Sequence, residues 1–193
     1  MAELVARSAL SDIDGAPLVH EGAALRMRPT RALSLRLPRG IEAADASREL
    51  GIALPALNAT IALGAGWVVG TEPKAWRILM APGQDIDMAA KLATLPGALV
   101  SDLSSRFCTI ELSGTNAVRA IASACPTDLE TRVFAVGAAA ATRFADVPVL
   151  LVKTGAAPCL LLIVERFHAE HAWRWLKQTT PATPTASPAG RAT

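Results

Sequence analysis

From Val100 to Leu112 the chain reads as a strand ending near Asp102, a tight turn through Ser104 and Ser105, and a second strand. In that second strand Phe107, Thr109 and Glu111 alternate with Cys108, Ile110 and Leu112, the period-2 pattern of a sheet with unequal faces. Gly114 and Thr115 stop it. Val118, Ile121, Ala122 and Cys125 then fall at i, i+3, i+4 and i+7, which predicts a helix with one apolar face.

Upstream, Ala32 to Leu37 predicts a strand with Leu33, Leu35 and Leu37 on one face and Ser34 and Arg36 on the other. Glu42 to Leu50 predicts a helix closed by Gly51. Strands are expected over Asn58 to Leu63, Trp67 to Val69 and Trp76 to Met80, and a helix over Asp85 to Leu95. Downstream, Ala139 to Phe144 and Val147 to Val152 form a hairpin about Ala145 and Asp146, and Cys159 to Val164 is a further strand. The last helix spans His168 to Lys177, with Ala169, Ala172, Trp173 and Leu176 on one face. Strand-helix-strand-strand-helix, read twice, implies an α+β fold of two ferredoxin-like subdomains. They cover about 31–103 and 104–177 of a single domain, 31–177. Residues 1–30 hold no persistent period beyond a short helical turn over Glu3 to Leu10, and read as an N-terminal arm that packs over the body or reaches a neighbour. The Pro-, Thr- and Ala-rich residues 178–193 read as a disordered tail.

Composition narrows the class. A 51% hydrophobic, 19% charged chain is globular, and with 4% aromatic residues and no Tyr its core rests on Ala, Leu, Val and Ile. The mean hydropathy of +0.33 suggests apolar surface that a partner covers. A net charge of +2 is too small to point to nucleic acid. Cys108, Cys125 and Cys159 are scattered in apolar patterns and read as reduced core residues. The start of the chain lacks a signal-peptide pattern, and its longest apolar runs fall far below the roughly 20 residues of a membrane span. A soluble cytoplasmic protein is expected, with no nucleic-acid and no membrane partner.

Candidate chemistry is thin. Gly64, Gly66 and Gly70 loosely echo a dinucleotide loop, but Trp67, Val68 and Val69 read as strand where a helix would have to begin, so a hairpin turn is expected. His168 and His171, near Glu165 and Glu170, lack a third ligand at matching spacing and read as a solvated helix face rather than a metal site. Arg26, Arg28, Arg31, Arg36 and Arg39 read first as a solvated strand face and second as a surface for an acidic patch on a partner. Ser101, Ser104 and Ser105 lie near Asp102 without a nucleophile elbow, and Asp102 reads as a turn cap. No catalytic, cofactor-binding or metal-binding residue emerges.

Beyond these patterns, Gly97 to Leu176 resembles the gamma subunits of heterotetrameric sarcosine oxidases. The matching pieces are VSDLSSR (Val100 to Arg106), ELSGTNAVRAI (Glu111 to Ile121), CPTDLETRVFAVGAAAATRF (Cys125 to Phe144), VPVLLVKTG (Val147 to Gly155) and WRWL (Trp173 to Leu176). The first half matches through LRMRP from Leu25 and the strand around Trp76. That family is similar to the folate-binding fold of the glycine-cleavage aminomethyltransferase, whose pattern falls here on Asp102-Leu103-Ser104, Ser113-Gly114, Asp128-Leu129 and Gly137. The chain departs where that enzyme's chemistry lies. The acidic pair near the hairpin is reduced to Asp146 before Val147 and Pro148, the Asn after the next strand is Glu165, and the chain is too short for the additional C-terminal portion.

The resemblance implies a non-catalytic gamma subunit of a flavin-dependent complex that oxidatively demethylates sarcosine or a similar N-methyl amine. The one-carbon unit passes to tetrahydrofolate or leaves as formaldehyde. Flavin, NAD and tetrahydrofolate are then expected on partner subunits, a large alpha flavoprotein subunit with beta and delta, and none in this chain. Trp67 and the segment from Ala16 to Arg28 are candidate contact residues, with ordinary surface or packing within the chain as the equal alternative. The alternatives are a stand-alone folate-binding protein or aminomethyltransferase, with Asp146 as the nearest carboxylate for its substrate amine, and a scaffold of an unrelated assembly.

Overall fold

Two antiparallel sheets stack face to face, and each carries two helices on its outer side. The computed structural model describes residues 18–20, 22–156 and 159–179. The strands are β1 (Leu18–His20), β2 (Ala23–Arg28), β3 (Arg31–Arg36), β4 (Thr60–Leu63), β5 (Gly66–Glu72), β6 (Ala75–Met80), β7 (Leu99–Asp102), β8 (Phe107–Ser113), β9 (Ala139–Phe144), β10 (Val147–Gly155) and β11 (Cys159–Glu165). The helices are α1 (Ala43–Leu50), α2 (Asp85–Leu92), α3 (Ala117–Ala122) and α4 (Ala169–Thr179), the last entered through a 3-10 turn at Arg166–His168. One sheet has the order β1-β2-β8-β11-β10-β9, the other β4-β5-β6-β3-β7.

Alternation along the strands builds three apolar layers. Leu33, Leu35, Trp76 and Ile78 face α1 and α2 in one outer core. Ile110, Leu112, Leu151, Leu160 and Leu162 face α3 and α4 in the other, against Ile121, Trp173 and Leu176. The residues between them in sequence, Ala32, Val69 and Leu79 from one sheet and Leu150, Val152, Leu161 and Ile163 from the other, meet in the layer between the sheets. β10 and β11 are therefore buried on both faces, which is why they read as unbroken apolar runs.

Both sheets carry the split β-α-β order. In the second, β3, α1, the β5–β6 hairpin, α2 and β7 run in sequence, with β4 added at one edge. In the first, β8, α3, the β10–β11 hairpin and α4 repeat that order with β9 at the edge, and the fourth strand, beside β8, is β2 from the N-terminal side. This corrects the arm reading for residues 23–28, while residues 1–17 lie outside the described residues. Ala23–Arg28 is an inner strand of a six-stranded sheet, paired with β1 on one side and β8 on the other, and Leu25 is 1% exposed. The reason is register: Leu25 and Met27 join the outer core while Arg26 lies opposite Glu111. The helical turn expected at Glu3 to Leu10 lies outside the described residues, as does the tail from residue 180. At the start of the tail, residues 178 and 179 belong to α4.

Two helices differ from expectation in detail. α3 buries Ala117, Ala120 and Ile121 fully and Val118 in part, while Ala122 is exposed, because alanines let this short helix sit close on the sheet. α2 ends at Leu92, three residues early, although Leu95 still reaches the core. Where β2 passes the end of β8, Gly114 has φ +102 and a Cβ there would stand 2.1 Å from the Gly22 carbonyl oxygen, so only glycine fits.

Candidate functional site

The polar groups that the alternation sends inward collect between the sheets. Glu111, 6% exposed on β8, accepts from Arg26 Nε at 3.0 Å, Arg26 Nη2 at 2.6 Å and Arg28 Nη1 at 2.7 Å. Burial raises the Glu111 pKa, but the hydrogen bonds from Arg28 and Arg26 outweigh it, so the carboxyl is held below its ordinary value. Arg28 then crosses to the other sheet: its Nη2 donates to the Ala65 carbonyl at 3.0 Å, and its guanidinium carbon sits 4.5 Å from the Trp67 ring centre. Glu111 and Arg28 fasten β2 to β8 and both to the β4–β5 turn.

A second cluster lies toward the opposite end of β8. The Arg77 guanidinium carbon is 4.1 Å from the Phe107 ring centre, and that of Arg106 is 5.4 Å from the same ring. Arg106 holds Glu165 through Nη2 at 2.6 Å and Nε at 3.1 Å, while Arg36 holds Glu72 at 2.7 Å. A cleft of about 440 Å³ opens here, walled by Arg77, Glu72, Phe107, Leu150, Ile163 and Glu165.

The residues weighed from sequence fall into place differently. The basic cluster is largely the expected solvated face, with Arg26, Arg31, Arg36 and Arg39 exposed, but Arg26 also holds Glu111, Arg36 holds Glu72, and half-buried Arg28 turns inward to Glu111. The glycine loop is the β4–β5 turn, with Leu63 paired to Gly66. His168 packs against Phe167 with tilted rings whose centres are 4.0 Å apart, whereas His171 Nε2 meets the Ala145 carbonyl at 3.0 Å. They are not brought together, and no group of three His, Cys, Asp or Glu side chains suited to a metal occurs among the described residues. Asp102 accepts from the Ser104 N–H at 2.8 Å, and the Ser104 hydroxyl and N–H hold its pKa low. Ser104 Oγ in turn accepts from the Ala32 N–H at 3.0 Å, so this turn links two strands rather than forming a nucleophile. Asp146 sits exposed at the β9–β10 turn with φ +66, and Glu165 is committed to Arg106. Cys108, Cys125 and Cys159 form no disulfide among the described residues. Trp67 is half-buried between the sheets beneath Arg28.

Sequence reasoning missed two features. Lys153, 1% exposed inside an apolar strand, donates to the Phe134 carbonyl at 2.9 Å and Thr131 Oγ1 at 3.2 Å, tying down the 131–134 turn. A lysine within the run Val147 to Val152 and its continuation was the only signal for it. The second is an apolar surface beside the junction of the sheets. Ala59 and Ala138 form an antiparallel bridge, and Leu57, Ile61 and Val136, two residues from it, are 50%, 41% and 50% exposed. Val133 nearby is 60% exposed, and Phe167 elsewhere is 74% exposed.

Among the described residues no helix is long and apolar enough to cross a membrane. In fold, the chain superposes on a chain of the heterotetrameric sarcosine oxidase from Corynebacterium sp. U-96 with a TM-score of 0.79 and 24% identity, covering 91% of this chain and 94% of that one. It also superposes on aminomethyltransferase T of the glycine cleavage system from Bartonella henselae with a TM-score of 0.65 and 12% identity, over 85% of this chain and 48% of that one. In sequence, it is 38% identical over 103 residues to the sarcosine oxidase subunit gamma of Arthrobacter sp, a match spanning 52% of this chain and 50% of that relative. The chain thus matches about half the length of this relative. The subunit gamma of Corynebacterium sp. strain U-96 is 33% identical over 159 residues, 76% of this chain and 73% of that protein. Residues 39–182 match the model of the sarcosine oxidase, gamma subunit family, and the chain belongs to that family.

Proposed function

We propose that this chain is the non-catalytic gamma subunit of a flavin-dependent heterotetrameric sarcosine oxidase and that it acts in the cytoplasm by docking on a large flavoprotein subunit. The observation that carries this reading is the gamma-subunit match over 76% of the chain. In the proposed reaction sarcosine, oxygen and water give glycine, formaldehyde and hydrogen peroxide, or the one-carbon unit passes to tetrahydrofolate. Alpha, beta and delta subunits hold the flavin, NAD and tetrahydrofolate.

The inward chemistry supports an accessory role. Glu111, Glu165 and Glu72 are each bound by arginine, and Asp146 stands on an exposed turn. Three of these four carboxylates are thus engaged by guanidinium groups rather than held ready as a base for a substrate amine. Leu57, Ile61, Val133 and Val136 supply an apolar surface for docking. An obligate interface of this kind buries about 2,000 Å² or more.

Expression of the partner subunits with and without this chain, followed by measurement of complex mass and sarcosine oxidation, tests the proposal. Full-size complex and full turnover in its absence would refute it.

A further inference from the structure

We propose that the cleft between the two sheets binds a small organic monocarboxylate, with Arg77 as the group that holds it. Arg77 lies on β6, on the strand face that looks across to the other sheet. Phe107 covers one face of its guanidinium at 4.1 Å. The two acids nearest to it are taken: Arg106 binds Glu165 at 2.6 Å, and Arg36 binds Glu72 at 2.7 Å. Among the described residues the Arg77 guanidinium donates no hydrogen bond and enters no ion pair. Burial, then repulsion from Arg106, pull its pKa down against the weaker attraction of Glu165 and Glu72, the mark of a cation short of negative charge.

A guanidinium stacked on an aromatic ring presents its N–H groups edge-on, in the fork that two carboxylate oxygens match. The cleft supplies that edge with about 440 Å³ of space, within the size range of small-ligand sites. Leu150, Ile163, Pro148 and Phe107 give it an apolar wall, so the ligand carries a compact apolar or aromatic body behind its charged end. Glu72 and Glu165 at the rim set the charge: beside Arg77 the lining holds Arg143, which donates to the Asp146 carbonyl, so one negative charge suits the site, whereas a doubly charged phosphate would be repelled by both acids.

Calorimetric titration of the full chain in low-chloride buffer tests this, with benzoate as the probe and benzamide as its neutral counterpart. Benzoate should bind saturably and roughly tenfold or more tighter than benzamide, because only the carboxylate engages the fork. Arg77→Gln should lose most of that preference, and Arg77→Lys, which keeps the charge but not the fork, should fall between. Benzoate binding no tighter than benzamide overturns the proposal whatever the variants do. So does equal benzoate affinity in wild type and Arg77→Gln. If the wild-type chain ignores benzoate while Arg77→Gln weakens association with partner subunits, the carboxylate belongs to a protein side chain and the small-ligand site is refuted.

Discussion

Arg28 and Glu111 meet at 2.7 Å between the two sheets, and through this pair a strand from the N-terminal side is locked to a strand more than eighty residues later. The same arginine continues to Ala65 and Trp67, so one side chain touches three strand systems. Glu111→Gln should leave two guanidiniums under-compensated and lower stability by about 1–3 kcal/mol, the cost of unpairing a buried polar group. Half-exposed Arg26 keeps the loss below that of a fully buried pair.

The same pair predicts a pH dependence. The folded-state pKa of Glu111 lies below its ordinary 4.5, so its stabilisation is complete above 4.5 and is lost as pH falls through the lower folded value. Asp102, also held below its ordinary 3.8, adds in the same direction. Urea unfolding followed from pH 7 to pH 3 should show stability falling in the acid range, with a smaller fall in Glu111→Gln. Identical profiles would contradict the assignment.

Because β2 is an inner strand, truncation through residue 29 should abolish the cooperative thermal transition seen by circular dichroism. Leu25→Ala should cost about 2–5 kcal/mol, as for other buried leucines. An intact body after truncation would restore the detachable-arm picture.

Asp146 and Ala145 have φ +66 and +46, the left-handed values that two-residue hairpin turns use and that glycine adopts more readily. Asp146→Gly should raise stability by up to about 1 kcal/mol and leave oxidase activity of an assembled complex unchanged. Loss of activity with an unchanged fold would instead give this carboxylate the catalytic role considered for an aminomethyltransferase.

What was legible in the sequence followed the apolar alternation. Leu33 and Leu35, Ile110 and Leu112, and the runs in β10 and β11 declared their strands because each face packs on a core. β2 carries the same alternation in Leu25, Arg26, Met27 and Arg28, but the arginines made it read as surface. Their partner, Glu111, is identifiable only once β2 and β8 are paired. The Arg77–Phe107 contact was hidden for the same reason, since it joins two different sheets. Helix α3 misled through alanine, which signals a close-packed face as weakly as an exposed one.

The central claim, that this chain is a subunit of a larger oxidase, is tested most directly by native mass spectrometry of the complex recovered through a tag on this chain. The account predicts one copy of this chain with three different larger or smaller partners, in a particle that carries flavin and oxidises sarcosine. A particle containing only this chain, alongside a full-size active oxidase lacking it, would contradict the account.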